Sequence, residues 1–113
     1  MIRKKIQGFD DVYYAEENGD IYRNNRLLSP VDNGTGYKQI KFRLNGKRYN
    51  RYVHCIMWET FIGAIPEGYE INHIDHDKSN NALSNLELVT HSVNLHKAFI
   101  QHGYFGSMNR PKI

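Results

Sequence analysis

Alternating apolar and polar positions fill the first half of the chain and predict a series of β-hairpins. Two Asn-Gly dipeptides separate the alternating runs, and such dipeptides are typical of two-residue turns because both residues accept positive φ angles. The stretch 24–36 contains a proline and two glycines and is expected to form a loop. The runs cover residues 12–15 and 20–23 around Asn18-Gly19, and residues 37–44 and 47–53 around Asn45-Gly46.

The turn of the second hairpin sets its register, and the register sorts the side chains onto two faces. Phe42 and Tyr49 are expected opposite each other on an apolar face, whereas Arg43 and Arg48 face each other on the other side. Like charges in such a position destabilise a sheet unless an anion lies between them. The cationic face, which includes Lys41, is therefore the predicted DNA-binding surface; a merely solvated basic strand face is the structural alternative.

The spacing of apolar residues changes to three and four over residues 53–62 and predicts an amphipathic helix that Gly63 and Pro66 end. His54 lies at the start of this helix. A single histidine in such a place is more often a structural group than a ligand.

The rest of the chain predicts a strand, a polar loop, a second strand and a helix. The strands are expected over 70–74 and 86–89, and the loop 75–85 is rich in Asp, Asn and Ser, which bond to nearby backbone. Thr90 or Ser92 can cap the final helix. The predicted fold class is α+β: N-terminal antiparallel β-hairpins, then a helix, then this C-terminal unit.

Composition limits the function classes. The 113 residues fit one domain, and no apolar run approaches the roughly 18 residues of a membrane span. The N-terminus lacks the pattern of a secretory signal peptide. A single cysteine, Cys55, cannot form an internal disulfide and disfavours a four-cysteine zinc module. An intracellular, reducing compartment is therefore expected.

The distribution of charge says more than the total of +3. No acidic residue occurs between Asp32 and Glu59, although the stretch is rich in cations, which is typical of a surface for an anionic partner. The cations are Lys38, Lys41, Arg43, Lys47, Arg48 and Arg51.

The polar residues of the C-terminal unit suggest chemistry. His73 ends the first strand, Asn85 ends the loop, and Asn94 lies in the first turn of the predicted helix, so that packing of the helix on the strands would bring them together. One imidazole and several amide oxygens suit metal-assisted hydrolysis of a phosphodiester, because the metal prefers oxygen ligands and a neutral imidazole can take a proton from water.

These residues resemble a known motif. The segments 70–75, 80–86 and 88–90, followed by Asn94, are similar to the HNH homing endonucleases of the phage and intron-encoded type, which have a ββα-metal fold. Residues 8–23 resemble the small NUMOD4-like DNA-binding module often joined to such nucleases, and the whole resemblance covers roughly residues 7–100. It implies a β-rich DNA-binding region at 1–52, an HNH nuclease region at 53–102 and an irregular tail at 103–113.

The resemblance also implies residue roles. His73 corresponds to the general base, and Asn85 to the residue that holds the loop and orients the base by hydrogen bonds. Asn72 and Asn94 correspond to the metal ligands, with Mg²⁺ or Mn²⁺ as the expected ion. Asp75 is expected to brace the loop, although it could instead add negative charge at the metal. Further histidines near the motif could also assist the site: His76, His91 and His96.

The function implied is a metal-dependent DNA endonuclease that nicks or cuts duplex DNA as a monomer or homodimer, without a membrane partner. The alternative is a catalytically weak or inactive DNA-binding protein derived from an HNH nuclease, because Asn72 is a neutral amide where a carboxylate would bind the metal more tightly.

Overall fold

The structure is a computed structural model that describes residues 3–32 and 34–90. Nine strands and one α-helix form within these ranges. The strands are β1 (Arg3–Lys5), β2 (Tyr13–Glu16), β3 (Ile21–Arg23), β4 (Arg26–Leu27), β5 (Val31–Asp32), β6 (Lys38–Leu44), β7 (Lys47–Tyr52), β8 (Tyr69–His73) and β9 (Leu86–Thr90), and the helix is α1 (Val53–Phe61).

The strands form three antiparallel sheets in the orders β1-β2-β3-β4, β5-β6-β7 and β8-β9. Both predicted hairpins are present, as β2–β3 and β6–β7. The predicted register of the second hairpin is confirmed, with Phe42 opposite Tyr49 and Arg43 opposite Arg48. Asn45 and Gly46 have φ angles of +52° and +83°, which is why this dipeptide can close a two-residue turn.

The sequence predicted a continuous loop over residues 24–36, and this prediction is wrong. The stretch contains the short strands β4 and β5. Each of them pairs with the edge of an existing sheet, β4 with β3 and β5 with β6. Two-residue strands have no alternation that a sequence pattern could detect, and only the neighbouring edge makes them strands.

One hydrophobic core joins the N-terminal sheets to α1 and the β8–β9 ribbon. Phe42 is fully buried, stacks on Phe9 with ring centroids 4.7 Å apart and meets the Tyr13 ring edge-on at 4.9 Å. This core crosses position 52, the predicted boundary between the two regions, whose separate functional roles stay a prediction. Its buried members are Ile6, Tyr13, Ala15, Ile21, Ile40, Phe42, Val53, Ile56, Met57, Ile71 and Leu86.

The C-terminal unit has its two predicted strands, β8 and β9, joined by the polar loop, which ends in a 3₁₀ turn at Leu83–Asn85. The predicted third element, the helix after Thr90, and the predicted tail lie outside the described residues. Among the described residues, no helix is long and apolar enough to cross a membrane.

Candidate active site

His73 ends β8 inside the protein, with 4% of its surface exposed. Its Nε2 atom lies 2.8 Å from the Oδ1 atom of Asn81, which is also buried. An amide oxygen can only accept a hydrogen bond, so Nε2 carries the proton and the lone pair of the neutral ring is on Nδ1. The contact therefore selects the tautomer in which Nδ1 is the basic atom.

Polar side chains hold the loop between β8 and β9. The amide nitrogen of Asn85 donates to Asp75 Oδ1 and to the carbonyl oxygen of Asn80, both at 2.9 Å, and its oxygen accepts the Asp75 backbone N–H at 3.1 Å. The amide of Asn80 donates to the other oxygen of Asp75 at 2.8 Å. Hydrogen bonds from Asn80, from the Asp77 N–H and from Asn85 lower the pKa of Asp75. The bracing position predicted for Asp75 is thus the one the structure shows.

The structure divides the two tasks assigned to Asn85 between neighbouring amides. Asn85 has the predicted contacts that hold the loop, but the hydrogen bond to the His73 ring comes from Asn81. The sequence gives little indication that Asn81 contacts the His73 ring, because Asn80 and Asn81 are adjacent residues of the same type. The tertiary fold turns the Asn80 amide to Asp75 and the Asn81 amide to the imidazole.

His54 is the functional neighbour that the sequence analysis took as a structural group. Its ring lies 4.9 Å from the His73 ring between centroids, at an interplanar angle of 56°. The side chain is buried, and its Nδ1 atom has no hydrogen-bond partner among the described residues. Burial, and next the charge of a protonated His73, lower the pKa of His54 to about 4. His54 is therefore a neutral, apolar-like wall beside the candidate base.

Two tyrosines from the second hairpin region complete this wall. The Tyr37 ring lies 5.2 Å from the His54 ring and 6.0 Å from the His73 ring, and Tyr52 lies 5.4 Å from His54. Burial raises the pKa of Tyr37, so its hydroxyl stays protonated. The surroundings of His73 thus include residues of the N-terminal half of the chain, which the motif by itself does not reveal.

Of the predicted metal ligands, the structure describes Asn72. Its amide nitrogen donates to the His73 carbonyl at 3.2 Å, which leaves the amide oxygen as the atom suited to a hard cation. Glu87 lies directly opposite Asn72 in the β8–β9 ladder, so a carboxylate and an amide share one face of the ribbon. Residues 3–32 and 34–90 contain no group of three or more His, Cys, Asp or Glu side chains that could hold a metal.

The remaining predicted residues fall outside the described ranges or in the loop after His73. Asn94, His91 and His96 lie outside the described residues. His76 is in the loop with φ +65°, a backbone conformation that favours glycine.

The cationic face of the second hairpin is exposed. Lys41, Arg43 and Arg48 line an open cavity of about 350 Å³, together with Arg23 from β3. None of these four side chains forms an ion pair or side-chain hydrogen bond within the described parts of the chain. On the opposite face Arg51 behaves differently, because its guanidinium binds Glu59 of α1 at 2.7 Å. The sequence analysis missed Arg23, which lies on a separate sheet.

Comparisons with known proteins agree with this geometry. Residues 51–96 match the family model of the HNH endonucleases. The chain is 29% identical over 94 residues to DNA endonuclease I-HmuI of Bacillus phage SP01, an alignment that covers 81% of this chain and 54% of that protein. It is 35% identical over 94 residues to the SPbeta prophage-derived HNH protein YosQ of Bacillus subtilis strain 168, covering 80% and 53% of the two chains.

A solved structure on DNA binding and cleavage by the HNH homing endonuclease I-HmuI superposes with a TM-score of 0.81 at 27% sequence identity, over 95% of this chain and 62% of that chain. The chain thus spans about half the length of the curated relatives it matches. The matched segment 51–96 contains both β8 and β9, and hence His73 and the loop that holds it. Motif, geometry and relatives coincide on the same residues: the segment 51–96 is an HNH endonuclease domain, and the chain is similar to phage HNH homing endonucleases.

Proposed function

We propose that this protein is a DNA endonuclease that hydrolyses phosphodiester bonds of double-stranded DNA with the help of a divalent metal ion, and that it acts in the cytoplasm of a bacterial host cell. The observation that carries the proposal is the hydrogen bond from His73 Nε2 to Asn81 Oδ1, since it places the proton of the neutral ring on Nε2 and the lone pair on Nδ1. A buried imidazole held in one tautomer is what a general base for water requires.

The wall around His73 supports the same role. His54 stays neutral because its pKa is lowered to about 4, so no second positive charge lies beside the base. A cation there would stabilise the unprotonated form of His73 but would also repel a metal ion. In this chain His73 accepts the proton of the attacking water, and Asn81 keeps the ring from turning.

The oxygen donors fit a hard divalent cation. Asn72 presents an amide oxygen, and Glu87 opposite it adds the negative charge that amide ligands lack. With Asn94 as the further ligand, this donor set suits Mg²⁺ or Mn²⁺ better than zinc. When bound, such an ion stabilises the negative charge that develops on the phosphate.

The cationic face of the second hairpin binds the DNA duplex. Lys41, Arg43 and Arg48 are exposed and unpaired within the described residues, and Arg23 extends the same cavity from the first sheet. Their charges would contact backbone phosphates and hold the duplex while the β8–β9 unit reaches the bond to be cut. One base per chain favours nicking by a monomer, whereas a homodimer would allow cleavage of both strands.

The test is cleavage of supercoiled plasmid DNA by the full chain with Mg²⁺, with Mn²⁺ and with a chelator. Conversion to nicked or linear plasmid that needs the metal and disappears in His73→Ala is the expected result. Duplex binding without cleavage under any of these conditions would favour the alternative, an inactive DNA-binding relative, for which the neutral amide at Asn72 is the motivating feature.

A further inference from the structure

Asn81 controls the His73 ring, so the parts of the molecule that hold Asn81 control the ring as well. On one side the carbonyl of the preceding residue, Asn80, accepts a hydrogen bond from Asn85 within the loop. On the other side the contacts come from the N-terminal sheet, more than 60 residues earlier in the chain. Those contacts involve the turn between β2 and β3.

The turn holds the segment 81–83 at two points. The backbone N–H of Leu83 donates to the carbonyl oxygen of Glu17 at 2.7 Å. Gly19 lies against the Asn81 peptide so closely that a Cβ atom on it would be 2.8 Å from the Asn81 carbonyl carbon and 2.9 Å from the carbonyl oxygen. Gly19 also has φ +98°, so glycine is required there for both reasons.

We propose that the Glu17–Gly19 turn of the N-terminal sheet is a positioning element for His73 and acts through Asn81. The N-terminal sheet then belongs to the hydrolytic site as well as to the proposed DNA-binding region. This inference rests on the proposed function for its catalytic consequence, but the contact itself can be tested without cleavage.

The expected effect follows from the crowding. Non-bonded carbon atoms settle roughly 3.5–4.0 Å apart, so a methyl group 2.8 Å from the Asn81 carbonyl carbon must move the turn and the Asn81 peptide apart by about 0.7 Å or more. The short hydrogen bond to His73 Nε2 would lengthen or break, and the ring would lose its fixed tautomer. Misplacement of about 1 Å can cost about 10²-fold in rate, so we expect Gly19→Ala to slow cleavage by about tenfold or more.

Gly8→Ala is the matched control. Gly8 has φ +90°, and nothing lies within 4 Å of the position its Cβ would occupy. Both substitutions therefore carry a similar backbone strain, and only Gly19→Ala crowds Asn81. Gly8→Ala is expected to leave the hydrogen bond between Asn81 and His73 intact.

The first measurement uses the ¹⁵N chemical shifts of the His73 imidazole in the full chain at about pH 8, above the ordinary imidazole pKa. The wild type and Gly8→Ala should show protonated Nε2 and unprotonated Nδ1, whereas Gly19→Ala should show a mixture of tautomers. His73 signals that are identical in all three proteins would overturn the proposal. This readout does not depend on cleavage, so a wild type that cuts no DNA would refute only the endonuclease proposal.

The second measurement is single-turnover nicking of supercoiled plasmid with Mg²⁺, together with duplex affinity. We expect Gly19→Ala to lower the rate and to leave the affinity within about twofold, because the turn contains none of the cations of the cationic face. In an Asn81→Ala background Gly19→Ala should cause no further slowing. Fully additive losses would show that Gly19 acts by another route and would overturn the proposal.

If Gly19→Ala does not fold, the less disruptive variant Asn18→Ala tests the same proposal. The side chain of Asn18 accepts the Asp20 backbone N–H and donates to the Asp20 carboxylate, both at 3.0 Å, and so shapes the turn. Asn18→Ala should move the His73 signals in the same direction by a smaller amount. Unchanged signals in this variant would equally overturn the proposal.

Discussion

The loop between β8 and β9 and the cationic face of the β6–β7 hairpin use their polar side chains in opposite ways. In the loop, Asp75 receives hydrogen bonds from Asn80, Asn85 and the Asp77 N–H, so that its charge is compensated inside the protein. On the hairpin, Arg43 and Arg48 lie directly opposite each other without a partner in the described parts of the chain.

The difference matches the roles proposed for the two regions. A loop with few apolar side chains gains a single shape only by saturating its own donors and acceptors, and a fixed shape is what a general base needs. A surface that binds an anion must instead keep its cations uncompensated, at some cost in sheet stability. Loss of a loop contact should therefore reduce the reaction rate, whereas loss of a hairpin cation should reduce affinity.

The largest effect expected on the loop side is that of His73→Ala. Removal of the proposed general base should lower the cleavage rate by about 10²–10⁴-fold while duplex affinity stays near that of the wild type, because His73 is buried and is not one of the exposed cations. Plasmid cleavage and duplex binding are measured on the same folded preparation. Near-normal turnover in this variant would remove His73 from its proposed role.

The two proposed metal ligands should show the next largest effect on cleavage. Asn94→Ala should lose most of its cleavage at ordinary Mg²⁺, because an oxygen ligand of the ion is gone, whereas Asn72→Asp should stay active and need less metal, because a carboxylate binds a hard cation more tightly than an amide. The measurement is cleavage rate against Mg²⁺ concentration. An Asn94→Ala protein with an unchanged metal curve would exclude that residue from the site.

The pH dependence of the free energy of unfolding tests whether His54, beside the proposed base, is neutral in the folded chain. The pKa of His54 is about 4 in the folded chain and near 6.5 when unfolded, so the unfolded chain binds the extra proton first as the pH falls. The free energy of unfolding should be unaffected by His54 above about pH 6.5 and should decrease by about 3 kcal/mol as the pH falls from 6.5 to 4.

His54→Phe isolates this effect, because the lowered pKa of Asp75 contributes to acid sensitivity in both proteins and cancels in the comparison. Urea unfolding of the two proteins between about pH 4 and pH 8 gives the two curves. If His54→Phe loses as much stability in acid as the wild type, then His54 is not held neutral by the fold.

The smallest effects are expected on the hairpin. Arg43→Ala and Arg48→Ala should each weaken duplex binding and reduce the slope of log affinity against log salt by about one unit, with cleavage at saturating protein retained. Lys47→Ala is the control, because Lys47 is exposed at the turn on the opposite face. Circular dichroism verifies folding, and equal losses in all three variants would contradict the assignment of the cationic face.

The local pattern of the chain was enough to predict the elements that depend on neighbours in sequence. The Asn-Gly dipeptide at 45–46 set the β6–β7 register, and the apolar spacing after residue 53 predicted α1. The polar segment 75–85 was predictable as a loop held by its own side chains, and the resemblance placed His73 at the end of a strand. In each case the deciding interactions are hydrogen bonds or burial within a few residues or across one tight turn.

Contacts between distant segments were decided only by the tertiary structure. The sequence by itself named His73 and Asn85, but packing of elements that are distant along the chain placed His54 of α1 and Tyr37 beside the imidazole and directed the Asn81 amide to it. Two-residue strands and the approach of the Glu17–Gly19 turn to residues 81–83 likewise depend on a partner that is remote along the chain. Periodicity records which side of an element is buried, and it contains no information about which other element covers that side.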